Sequence, residues 1–120
     1  MKPQEFHTSI SQLLGVRLKP VSGKDLNLAT CVEIYTMIFD TMVEVITGAE
    51  LDVSNEAVNY LAQQYYDGVL INGNQELDPD IFTQRAKLEE ISTEELALLL
   101  TMLTGTDFAM PVFQEIKRRS

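Results

Sequence analysis

The chain has no tryptophan, and only one cysteine and one histidine in 120 residues. With Cys31 alone, an intrachain disulfide is excluded, and with His7 alone, a zinc site would need carboxylates for its remaining ligands. Neither H-E-x-x-H nor C-x-x-C occurs. Lysine and arginine are absent from Asp25 to Gln84, a stretch that carries eleven acids. Such a surface repels phosphate, so direct nucleic-acid binding through it is disfavoured. Long apolar runs are also missing: the longest, "LALLL" at 96–100, falls far short of the roughly 20 residues a membrane span needs. The start, "MKPQEFHTSISQLL", lacks the apolar region of a secretory signal. With a single cysteine, the expected compartment is a reducing cytoplasm, and no membrane partner is expected.

Glycine is sparse, and Gly15, Gly23, Gly48, Gly68, Gly73 and Gly105 all fall at predicted element boundaries. None is left to cradle a phosphate, and no G-x-G-x-x-G or G-x-x-x-x-G-K-[ST] pattern is present. No cofactor is expected.

What the chain does have is enough apolar residue, 45%, to build a core, and too little charge, 22%, to be a disordered tail. Its length suits one domain, residues 1–120. The net charge is −9, with cations gathered at the ends, among them Arg17 near the start and Lys117, Arg118 and Arg119 near the finish. At the end of a final helix, those last three oppose the negative pole of the helix dipole.

Periodicity then gives an all-α chain of about five to six helices around a long central one. Phe6, Ile10, Leu13 and Leu14 behind Pro3 predict a first helix over about 4–14 with Gly15 as its left-handed cap. "VRLKPV" predicts a short extended connector near 16–21. Ser22 and Asp25 resemble a capping box opening a long helix that stops at Gly48. Its stripe is Leu28, Val32, Tyr35, Phe39, Met42, Val43 and Ile46, with Leu26, Ile34, Met37, Ile38 and Val45 off the stripe and widening the face. Ser54 caps a third helix with Val58, Leu61, Ala62, Tyr65 and Val69 on one face. Asp78-Pro79 opens a fourth that ends near Glu90. Ser92 and Glu95 form an S-x-x-E box before "LALLLTML", which Gly105 closes. A sixth helix around Pro111 ends in the basic residues.

Little in these helices is catalytic. A His7/Cys31 nucleophile pair is conceivable, but a mid-helix cysteine among apolar neighbours reads as a small buried hydrophobe. Asn72, Asn74, Glu76, Asp78 and Asp80 alternate as a calcium loop would, yet the glycine and glutamate of an EF-hand are out of place. Glu94 and Glu95 read as helix-start residues. The chain is therefore not expected to be an enzyme. Candidates for binding a protein partner are Tyr60 and Tyr66, off the stripe of the third helix, and Leu98 and Met102, on a second face of the leucine-rich helix. A helix apolar on two faces is either sandwiched inside the domain or covered by another subunit, and both readings stand.

The first helix, "LKPVSGKDLNLA", an acidic helical body and the late "ISTEELALLLTMLTGTDF" resemble small tail assembly chaperones of long-tailed bacteriophages, which carry a Ser/Thr, E-E-L and apolar-helix series near their ends. The resemblance implies a non-enzymatic helical protein in the host cytoplasm that binds an aggregation-prone tail component before assembly, with no catalytic residues to carry over. The continuation past Thr106 to Arg118 and Arg119 departs from that pattern. The alternative is an acidic inhibitor or nucleic-acid mimic that fills a basic groove through Asp40, Glu44, Glu50 and Asp52.

Overall fold

Three apolar residues at helical spacing, Phe6, Ile10 and Leu14, are buried along the first helix, α1 (Pro3–Arg17). This is the face the sequence predicts, but α1 does not end at Gly15. It runs on through Gly15 and Val16, so the expected connector from residue 16 is corrected to helix as far as Arg17. The reason is a tertiary tie: the Arg17 guanidinium donates to both carboxylate oxygens of Glu44, at 2.7 and 3.1 Å, and to the Thr41 hydroxyl at 3.1 Å. These contacts hold the last turn against the next helix and carry it through a residue that favours helix weakly. Only Leu18 turns extended.

The computed structural model describes residues 2–18, 27–66, 87–105 and 109–120. The rest of the predicted connector, the Ser22/Asp25 box and all but the end of the predicted fourth helix lie outside them. The long helix, α2 (Leu28–Gly48), opens on Asn27, whose side chain accepts the Thr30 N–H at 2.9 Å. Its inward face is Cys31, Ile34, Ile38, Thr41, Met42, Val45 and Ile46. The predicted stripe is thus corrected: off-stripe Ile34, Ile38 and Val45 are core, while Leu28, Val32 and Val43 stay outside. A helix apolar over so wide an arc can seat either edge, and periodicity alone does not choose between them.

The end of α2 is a Schellman turn, with Leu51 N–H donating to Ile46 carbonyl at 3.1 Å and Glu50 N–H to Thr47 carbonyl at 3.0 Å. Here Glu50, at φ 57°, takes the left-handed position that glycine usually fills. The next helix, α3 (Asn55–Tyr66), begins on Ser54, whose hydroxyl accepts the Ala57 N–H at 3.3 Å. Eight of its twelve residues are buried, on nearly every side. After it, Leu88–Glu90 forms a single 3-10 turn where the sequence predicts the close of an α-helix.

The leucine-rich helix, α4 (Thr93–Leu103), starts as its sequence predicts, with the Ser92 hydroxyl accepting the Glu95 N–H at 3.2 Å. Gly105, at φ 90°, supplies the left-handed stop. The last helix, α5 (Ala109–Arg119), buries Val112 and half-buries Ile116. The described residues are all helix and turn, with no strand among them. The α4 helix packs against α1, α3 and α5, while α2 packs against α1 and α3. One apolar cluster runs through all five helices.

Two backbone positions generate a linked expectation. A Cβ at Gly15 meets nothing within 4 Å, so Gly15→Ala should raise the unfolding free energy by about 0.5–1 kcal/mol. Glu50→Gly should raise it by about 1 kcal/mol by relieving the left-handed backbone. Urea midpoints of the two variants check this, and a lower midpoint in either contradicts the helix end assigned there.

Candidate interaction surface

The residues with a side chain to offer a partner fall into three groups: those the fold has enclosed, those it spends on internal ties, and those it leaves open. The first group absorbs most of the expected contacts. Tyr60, Tyr66 and Met102 are buried, so their expected outward placement is corrected. The reason for Tyr66 is aromatic packing, since its ring meets that of Tyr35 on α2 edge-on, with centroids 6.1 Å apart. Met102 shares the buried side of α4 with Leu96, Leu99 and Leu103, because α1, α3 and α5 approach that helix from different directions. Leu98 remains half-buried, at the edge of an open cleft of about 450 Å³ that is also lined by Asp52, Ser54, Ser92, Glu94 and Glu95.

Polar side chains around that cleft are tied to one another. Glu95 sits three residues after its helix cap, where a carboxylate commonly turns back on its own helix. Instead it crosses to α3, accepting from the Ser54 hydroxyl at 2.7 Å and the Ser54 N–H at 3.1 Å. One carboxylate thus links the starts of two helices, each the positive end of a dipole. Among the described residues no three His, Cys, Asp or Glu side chains form a metal-holding group.

Other ties close the opposite edges. Arg118 and Arg119 both bind Glu115, at 2.6 and 3.0 Å, and hold its carboxyl down at about 2. Arg119 also donates to the Leu88 carbonyl at 2.9 Å and the Thr93 hydroxyl at 3.1 Å. It therefore clasps α5 to the turn and helix before it, a more specific role than opposing a dipole.

His7 is spent as well. The Tyr65 hydroxyl and Nδ1 of the imidazole share a hydrogen bond, and burial pushes the phenol's pKa up. Burial lowers the His7 pKa, and the Leu103 backbone pulls it the other way to a smaller extent. Buried Nε2 makes no hydrogen bond of good geometry among the described residues. Cys31 is a free, buried thiol on α2, as its apolar neighbours suggest. The calcium-like run from Asn72 to Asp80 lies outside the described residues.

Among the described residues the large apolar side chains left open are Val16 on α1, three on α2 and two on α5. Leu28, Val32 and Val43 are 62%, 44% and 38% exposed, and half-buried Phe39 falls on the same side. At 1.5 Å per residue the stripe is about 22 Å long. Beside it run the exposed acids Glu33 and Asp40. On α5, Met110 and Phe113 are 58% and 49% exposed. No described helix is long and apolar enough to cross a membrane.

Comparison with family models, curated proteins and solved structures finds no match to this chain. Leu98 and the Tyr pair carry sequence signals that were visible in the helical pattern, whereas the stripe on α2 depends on which edge of that helix packs inward.

Two measurements test the ties. Glu95→Ala should cost about 1.5–3 kcal/mol, the range for hydrogen bonds to a charged group, and Ser54→Ala should cost less once Glu95 is gone. Strictly additive losses in that double-mutant cycle would dissolve the proposed link. For His7 the folded pKa lies below the unfolded value of 6.5, so the unfolded chain binds the proton first. Stability is held above pH 6.5 and is lost as the pH falls from there toward the folded value. The wild-type urea midpoint should drop between about pH 7 and 5 by more than that of His7→Gln, and equal drops would remove His7 from the acid response.

Proposed function

We propose that the chain is a non-enzymatic protein-interaction module that holds an assembly partner on the α2 stripe. The observation that carries this reading is the placement of Leu28, Val32 and Val43 outside a core that buries Cys31, Ile34, Ile38, Met42, Val45 and Ile46 of the same helix. Apolar side chains scattered singly on a surface need no explanation, but here three stand on one side of one helix with Phe39 half-buried among them. Burying such a row on a partner contributes roughly 25 cal/mol per Å² of apolar surface before the costs of association.

The resemblance to phage tail assembly chaperones supplies the kind of partner: a tail component prone to aggregate, held through its apolar surface until assembly. In that role Leu98, at the edge of the cleft on α4, offers a secondary contact. The acidic-inhibitor reading draws less support. Of its four acids, Glu44 is already neutralised by Arg17, and Glu50 is part of the turn that ends α2.

Cross-linking in lysate of the source cells, followed by mass spectrometry, tests the module. The wild type should capture one larger protein that a Leu28→Glu/Val43→Glu double variant releases. Both positions are exposed, so the variant should keep its fold. Equal capture by the two proteins would place the partner site elsewhere.

A further inference from the structure

The α2 stripe has a counterpart within the same chain. On α5, Met110, Phe113 and Lys117 recur at i, i+3 and i+7, which sets them on one side, and all three are exposed. Two apolar side chains are followed, one turn on, by a cation. On α2, exposed Val43 has the exposed acid Asp40 one turn before it, and Val32 stands next to Glu33. Each surface is thus an apolar column with a charge at its flank, Asp40 one turn from Val43 and Lys117 one turn from Phe113, and the charges are opposite. Matching apolar patches framed by opposite charge is the arrangement that fixes the register of a docked helix.

The two surfaces cannot satisfy each other within one molecule. The α5 helix packs mainly on α4 and the 3-10 turn, α2 packs mainly on α1 and α3, and on both helices these side chains stay exposed in the folded chain. We propose that α5 of one copy docks on the α2 stripe of a second copy. The contact joins two different surfaces: made in one direction it leaves one stripe and one α5 patch free on each growing assembly and continues into rings or open chains, and made in both directions between two copies it closes a two-fold dimer. This rests on the interaction-module reading in that both use the stripe: copies would cover one another's stripes until a partner displaces them. The charge frame also explains why the occupant is a basic helix and not another α2, whose Glu33 and Asp40 would face their own kind.

Sedimentation velocity of the purified chain over a concentration series is the test, with Val32→Glu and Phe113→Glu as single variants. Both positions are exposed, and an unchanged helical circular dichroism spectrum and melting curve establish that the variants fold. The wild type should grow in mass with concentration, and each variant should weaken association by roughly tenfold or more. The decisive sample is the mixture. Val32→Glu retains a sound α5 patch and Phe113→Glu retains a sound stripe, so together they should form a one-to-one pair and grow no further. A wild type that stays monomeric, a variant that associates as well as the wild type, or a mixture that does not pair overturns the proposal. Because no other protein is present, such a failure leaves the lysate experiment to decide the module reading separately.

Discussion

The helix from Thr93 to Leu103 sets the terms for the rest of the molecule, because Leu96, Leu99, Met102 and Leu103 must all leave water from a single helix. No one neighbour can cover so wide an arc. Three are used, α1, α3 and α5, and their approach from different sides makes α4 a shared wall. The α2 helix is longer and equally apolar, and it packs mainly on α1 and α3. It has more apolar surface than these neighbours cover, and the remainder is the open stripe.

Burial alone would leave the helices free to slide and rotate, since the hydrophobic effect is not directional. The polar ties supply the registration. Glu95 fixes the starts of α3 and α4 against each other, Arg17 fixes the end of α1 to Glu44, and Arg119 fixes the end of α5 to the turn at Leu88. Each lies at the rim of the core, where its charged end keeps some water and avoids the large cost of full burial. His7 and Tyr65 are the exception: they meet in a more enclosed place, where burial disfavours the charged form of each.

Local signals were legible in the sequence where local chemistry decides the outcome. The Ser92 cap, the Gly105 stop and the Phe6, Ile10 and Leu14 face of α1 depend on residues within a few positions of one another, and each is where its spacing places it. Long-range choices were not legible. Gly15 has the character of a cap, yet an arginine two residues on finds a glutamate from another helix and carries the helix through it. Tyr60 and Tyr66 lie off a stripe that the sequence assigns to one side of α3, but α3 is enclosed almost all round and has no outer side to give them. On α2 both edges of a broad apolar arc are acceptable, and only its neighbours select one.

That last ambiguity bears on how an exposed stripe is tolerated. A net charge of −9 opposes indiscriminate association, because two copies approaching at random bring like charge together. The repulsion is not uniform: α2 itself carries Glu33, Asp40 and Glu44 and no base, while the end of α5 carries Lys117, Arg118 and Arg119. Surfaces that would pair two stripes are thus penalised, and those that bring a basic helix to a stripe are not. Within a Debye length of about 10 Å at moderate salt, the same asymmetry favours any partner whose apolar helix ends in lysine or arginine. For a partner docked as proposed, selectivity would come from the acids beside the stripe and affinity from the apolar side chains within it.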